Sequence, residues 1–296
     1  MHTGSAPADV AVERFTGLLP DPVVQHRRPR WWQELAVVAL GYWLYGLARN
    51  AIHTRESVAL GHGRGVEHLQ RWLQLDLERS LNRWVAGHEP VAQVMDYYYA
   101  VVHLGLTIAV LVWLFHFHPR VYRGSRTVLL LTTMVALVGF YLYPLAPPRL
   151  LPEYGYIDTL VRFHTWGSLA DPAIAQHSNQ YAAMPSLHVA WALWVGISLF
   201  ACARRRWVRL AGLAHPMATL VVVLGTANHF VLDAVGAVAA ITIGFGAQFA
   251  LSGHGAFQWA PSEPPILSPA PRPGVLVTQP EGPAVGAERQ ESACGS

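Results

Sequence analysis

Six apolar segments, each near the roughly 20 residues a helix needs to cross a bilayer, divide this 296-residue chain. They cover approximately residues 32–49, 95–117, 127–143, 187–203, 208–226 and 230–251. Hydrocarbon offers no water to unpaired N–H and C=O groups, so segments of this kind must satisfy their backbone internally as helices. Trp31, Trp32, Trp113, Tyr141, Tyr143 and Trp207 fall near the segment ends, where amphipathic rings favour the headgroup region. Only 13% of the residues are charged and 52% are hydrophobic. A soluble chain carries about 25% charged residues, so much of this surface is expected to face lipid. The expected fold is all-α: a polytopic membrane protein with about six transmembrane helices in a bundle.

All 21 basic residues are Arg. They are scattered in short clusters, and with a net charge of +3 this suggests no nucleic-acid partner. Cys202 and Cys294 form neither a disulfide framework nor a metal quartet. The opening of the chain contains acidic residues and proline, with no convincing cleavage site before the first apolar segment, so that segment reads as a retained helix. Arginines at 27, 28 and 30, at 120, 123 and 126, and at 204, 205, 206 and 209 all fall on one side of a six-helix path. The positive-inside rule makes that side cytoplasmic. The stretch between residues 50 and 94 also holds five arginines, but interleaved with Glu56, Glu67, Asp76, Glu78 and Glu89. Within it Val66, Leu69, Leu73, Leu77, Leu81 and Trp84 repeat at helical steps, predicting an amphipathic helix on the outer surface. The expected organisation is a cytoplasmic tail over 1–30, a membrane domain over 31–251, and a disordered cytoplasmic tail over 252–296.

Three short stretches at the ends of apolar segments carry the chemistry: PLAPPR (144–149), AAMPSLH (182–188) and NHFVLD (228–233). On the six-helix path Arg149, Ser186, His188 and His229 all face the extracytoplasmic side, which the arginine bias did not presuppose. His229 and Asp233 are four residues apart, on one helical face. A carboxylate there fixes the imidazole tautomer and leaves the other nitrogen as a nucleophile. His188 can protonate a leaving alkoxide. Phosphoryl transfer needs mainly positioning and charge stabilisation. Arg149 has the planar fork that binds phosphate, while Ser186 and the helix start behind it add a hydroxyl and N–H donors. Asp96, Tyr99 and His103 share a face of the second apolar segment and are candidate substrate-binding residues, because intramembrane polar groups tend to face cavities.

These stretches resemble the three signature motifs of the type 2 phosphatidic acid phosphatase superfamily, and more narrowly its inositol phosphorylceramide synthase-like (inositolphosphotransferase) branch. The resemblance spans about residues 143–236. It implies that His229 forms a phosphohistidine, that Asp233 orients it, and that His188 serves as acid and then base. It implies an integral membrane enzyme of lipid metabolism, needing no metal or other cofactor. Its partners would be a lipid phosphate or phospholipid substrate and an alcohol acceptor such as inositol. The expected setting is a bacterial plasma membrane, with the site on the extracytoplasmic side. The chain departs from the broad superfamily in three places. No lysine precedes Arg149, Leu187 stands where glycine is common, and Val223 occupies the place of an arginine six residues before His229. The narrower branch accommodates these changes, but the phosphate cradle is left short of a cation. Arg162, His164 and His177 are candidates to supply it.

Hydrolysis and transfer differ only in whether water or an alcohol meets the phosphoenzyme, so a plain polyprenyl- or glycerolipid-phosphate phosphatase stays open. A lipid-binding relative without activity is the non-enzymatic alternative, opposed by the intact His188, His229 and Asp233. The 15 histidines show no HExxH or finger spacing, which argues against a metal or haem protein. Ser186 lacks the GxSxG elbow that a serine protease reading would want.

Overall fold

A computed structural model describes residues 30–52, 56–165 and 180–258. The elements in chain order are α1 (Trp31–Ile52), α2 (Glu56–Trp72), α3 (Leu77–Ala86) and α4 (Glu89–Tyr97). A π-helical turn (Tyr98–Val102) carries α4 directly into α5 (His103–Phe117). Then come α6 (Pro119–Leu142), the short α7 (Thr159–Arg162), α8 (Leu187–Cys202), α9 (Arg206–Gly225) and α10 (Val231–Ser252). Among the described residues there is no strand, only an isolated bridge between Leu145 and Ala182. The fold is an all-helical polytopic membrane bundle.

Four stretches are long and apolar enough to cross a membrane: Glu89–Phe117, Pro119–Leu142, Arg206–Gly225 and Val231–Ser252. The 22-residue α1 is also of spanning length. α8, equally apolar, has only 16 residues. The expected second span begins earlier than the sequence suggests, at Glu89, because Pro90 is tolerated in a first helical turn.

Small residues let these helices approach closely, as membrane interfaces favour. A Cβ on Gly196 of α8 would lie 2.6 Å from the carbonyl oxygen of Gly212 on α9. Pro185 is wedged between α6 and α10, where a Cβ on Gly139 would come within 2.7 Å of its Cδ. The largest buried cluster brings together Leu114, Tyr122, Val128, Trp194, Val195 and Ile241 from α5, α6, α8 and α10. The Trp194 indole N–H donates to the Ser125 carbonyl at 2.8 Å, so this buried ring keeps its polar edge satisfied.

The single amphipathic helix expected between residues 50 and 94 is divided into α2 and α3. Gln74, with φ +58°, breaks it. The pair is also turned around relative to a soluble helix. Leu69, Trp72, Leu73, Leu77 and Trp84 are exposed, while Glu67, Gln70, Glu78 and Asn82 are fully buried. An apolar outer face over a polar inner face suits a layer lying at a membrane boundary.

At the far end of α6, residues 253–258 fold back: a Cβ on Gly124 would meet the Ala256 carbonyl, and Ala256 is buried. This places the start of the expected C-terminal tail against the bundle. Residues 1–29 and 259–296, which hold most of both expected tails, lie outside the described residues.

Candidate active site

The three motifs converge because backbone hydrogen bonds tie them together. Leu145 N–H donates to the Tyr181 carbonyl (2.8 Å) and Ala183 N–H to the Leu145 carbonyl (3.3 Å), joining the first motif to the second. Arg149 N–H donates to Ala227 (2.9 Å), joining the first to the third, and Ser186 N–H donates to Asp233 (3.1 Å), joining the second to the third. Ala227 takes a left-handed φ of +54°. This conformation is rare for a residue with a Cβ, and it turns the chain sharply from the end of α9 toward His229.

Local capping sets the two helices that carry the histidines. Ser186 precedes α8, and its hydroxyl oxygen accepts the Val189 N–H at 3.4 Å, as an N-cap serine does. Asp233, in the first turn of α10, reaches back so that its carboxylate accepts the Phe230 N–H at 2.9 Å. The same carboxylate oxygen is 3.1 Å from His229 Nδ1. A carboxylate only accepts, so Nδ1 carries the proton and Nε2 presents a lone pair. His229 Nε2 in turn faces His188 Nδ1 at 3.4 Å. Asp233 is fully buried and His229 nearly so.

Arg149 is held in place from both sides. Its Nε donates to Asn228 Oδ1 (2.9 Å) and its Nη1 to Asp158 (3.1 Å), with the guanidinium buried. Asn228 is itself fixed by donating to Thr226 Oγ1 at 2.8 Å. Asp158 also caps α7 by accepting the Val161 N–H at 3.1 Å. Arg149 therefore lies one residue from His229 through Asn228, with guanidinium N–H groups beyond those two bonds. Ser186 is fully buried in its capping role.

The three candidates on the second apolar segment are separated. Asp96 accepts the hydroxyls of Thr159 (2.8 Å) and Thr165 (3.1 Å), bracing α4 against α7 and the loop after it. Tyr99 and His103 instead pack on His188, each ring 4.2 Å from it. Asp96 therefore meets α7 and the loop after it, whereas Tyr99 and His103 meet α8. Arg162 sits over Phe163 at 5.5 Å. His177 lies outside the described residues.

Sequence reading missed a polar brace behind the site. Gln70 Oε1 on α2 accepts the Leu232 N–H at 2.8 Å, capping the first turn of α10 from another helix. The Gln70 amide N–H donates to Glu78. Tyr156 donates to Glu67 at 2.7 Å, with Glu78 3.3 Å away. Burial pushes the Glu78 carboxyl up to about 7 and raises the Tyr156 hydroxyl. Asn82 adds a second brace, donating to the carbonyls of Ile157 and Gly225 at 2.9 Å each. The amphipathic pattern of residues 66–84 shows which positions leave the apolar face, and these buried polar residues occupy them. Their partners, more than 60 positions away in five of these contacts, leave no local signal.

The site therefore offers a carboxylate-oriented imidazole, a second imidazole facing it, and a braced guanidinium beside them. The model of the PAP2 superfamily matches residues 64–247, more than half of the chain and all three motifs. No curated protein and no solved structure gives a significant match. An apolar helical bundle with these motifs gathered at one end, matched across α2 to α10, identifies the chain as a member of the PAP2 superfamily, the type 2 phosphatidic acid phosphatases, and as an integral membrane enzyme of the lipid phosphatase kind.

Proposed function

We propose that this chain is a lipid phosphatase or phosphotransferase of the inositolphosphotransferase-like branch, acting through a phosphohistidine on His229 without a metal. The observation that carries this reading is the arrangement Asp233–His229–His188. One ring nitrogen of His229 is engaged by carboxylate at 3.1 Å, and the other is aimed at His188 Nδ1, 3.4 Å away. The His229 Nε2 lone pair attacks phosphorus, forming the N–P bond while the bond to the lipid oxygen breaks. His188 donates a proton to the departing alkoxide, and the neutral lipid alcohol leaves. His188 then takes a proton from water, or from an alcohol acceptor such as inositol. The oxygen so activated attacks phosphorus and releases His229. Arg149 and the Ser186 hydroxyl bind the phosphoryl oxygens, with the guanidinium offsetting charge as it spreads over them. Asp233 stabilises the positive imidazole ring of the phosphoenzyme.

We place the site on the extracytoplasmic side of a plasma membrane. The arginines at 120, 123 and 126 and at 204–209 lie at the opposite ends of α6 and α8 from the motifs, which supports this orientation. Plain hydrolysis of a polyprenyl or glycerolipid phosphate is the same chemistry with water as sole acceptor. The test is to incubate purified protein with a panel of phosphorus-labelled lipid phosphates and phospholipids, with and without inositol. Label should appear on wild type and be absent from His229→Ala. His188→Ala should label slowly from lipid substrates, and faster from one whose leaving group needs no proton. If His229→Ala labels normally and His188→Ala does not, the two roles are exchanged. If both variants turn over at the wild-type rate, the proposed site is wrong.

A further inference from the structure

The two imidazoles are held by different means. His229 has Asp233. His188 has no carboxylate: among the described residues its one hydrogen bond is the 3.4 Å contact with His229, long for a bond that must fix a ring. What surrounds it is aromatic. Tyr99 stacks on His188 at 4.2 Å with 20° between the planes, and His103 lies at 4.2 Å and 43°. Tyr99 and His103 are themselves 6.5 Å apart, so they contact His188 from two directions.

The helix that bears them is built to hold this arrangement. The π-turn at Tyr98–Val102 contains Tyr99 and ends just before His103; such turns recur at functional sites. Four hydrogen bonds to other parts of the fold secure it, and one within the helix sets the His103 ring. Asp96, just before the turn, is bound by Thr159 and Thr165. Tyr98 hydroxyl meets His215 Nδ1 at 2.7 Å and Thr219 Oγ1 at 3.0 Å on α9. His103 Nδ1 donates to the Tyr99 carbonyl at 2.9 Å, orienting its own ring.

We propose that Tyr99 and His103 are positioning residues for His188, and that their rings fix the orientation of this imidazole as the Asp233 carboxylate fixes that of His229. The proposal rests on the reading of His188 as the proton donor to the lipid oxygen. A ring held by packing alone keeps its Nδ1–H directed at the reacting centre while both ring faces stay free of anions. A loosened ring would still support attack by His229 but would protonate the leaving oxygen poorly.

The test compares two phosphate monoesters on the full-length protein: a dialkyl glycerol phosphate, whose alkoxide needs a proton, and a p-nitrophenyl ester, whose phenoxide does not. Tyr99→Leu should lower kcat on the lipid by about 10- to 100-fold, the scale of a misplaced acid. Its KM should stay within about threefold, and kcat on the aryl ester should fall less than about threefold. Tyr99→Phe, which keeps the ring, should restore most of the lost rate. His103→Leu, measured in the same way, provides an independent variant and should show the same preference for the aryl ester. Equal losses on both esters, no rescue by phenylalanine, or an unchanged rate on the lipid would each overturn the proposal. His188→Ala separates this from the underlying mechanism. If that variant favours the aryl ester and the Tyr99 and His103 variants do not, only the clamp is wrong. If His188→Ala shows no such preference, His188 is not the acid and both ideas fall.

Discussion

Replacing Asp233 by asparagine isolates charge from shape at the proposed nucleophile. An asparagine oxygen in the place of the engaged carboxylate oxygen can still accept from Phe230 N–H and His229 Nδ1–H, now 2.9 and 3.1 Å away. What disappears is the negative charge facing an imidazole that becomes positive as phosphorus bonds to Nε2. At a separation of about 4 Å and an effective dielectric of about 20, that interaction is worth about 4 kcal/mol, or roughly a thousandfold in rate. A drop in kcat of about 10²–10⁴ is therefore expected, as for orienting carboxylates in other triads. The other carboxylate oxygen is buried without a partner among the described residues. An amide NH₂ there would be left unsatisfied, costing about 1–3 kcal/mol of stability. Thermal unfolding of the variant measures that loss separately from single-turnover labelling, which measures the chemistry. A folded Asp233→Asn protein whose kcat falls less than about threefold would refute the claim that this charge assists His229.

Glu78 titrates near 7 in the fold against 4.5 as a free carboxyl. Its contribution to stability is thus complete at low pH and is lost as pH rises from about 4.5 through about 7. Taking its stability at about pH 3.5 as the baseline, Glu78→Gln should gain on wild type as pH rises, by at most about 3 kcal/mol at pH 8; a difference that does not grow with pH would count against a buried proton. Cysteines placed at Glu153 should react with a membrane-impermeant thiol reagent in intact cells and cysteines at Arg206 should not, with the reverse pattern inverting the orientation. Activity should survive chelation of divalent ions, and loss that one particular metal restores would favour a metal-activated water over His229.

Chemistry and topology were legible in this chain to different depths. α8 starts at Leu187, where the sequence places it, because Ser186 is a strong capping residue and Pro185 stops a helix from running back through it. α9 and α10 likewise fall within two residues of their expected bounds, since long apolar periods leave little choice. The division of α2 from α3 was hidden. The apolar repeat runs through Gln74 without interruption, and a single left-handed residue leaves no trace in a period of that kind. The π-turn was equally silent, and no local signal told Asp96, whose partners Thr159 and Thr165 lie more than 60 positions away, from Tyr99 and His103. The partners of Arg149 show the remaining limit. Asn228 lies inside a motif, whereas Asp158 is an ordinary loop aspartate until the fold brings it to the guanidinium.

The brevity of α8 bears on the balance between hydrolysis and transfer. Sixteen helical residues rise about 24 Å, against a hydrocarbon thickness of about 30 Å. If the Cys202 end is level with one boundary of that layer, the helix start at Leu187, beside Ser186 and His188, falls about 6 Å short of the other. A phosphoenzyme formed at such a depth, roofed by the outward-facing leucines and tryptophans of α2 and α3, is poorly supplied with bulk water. Any hydroxyl compound able to partition into the headgroup layer then competes at a local concentration unrelated to its level in solution. If the proposed phosphohistidine forms there, the product ratio should respond to bilayer thickness: thicker membranes would bury it further and shift its breakdown from water toward alcohol acceptors.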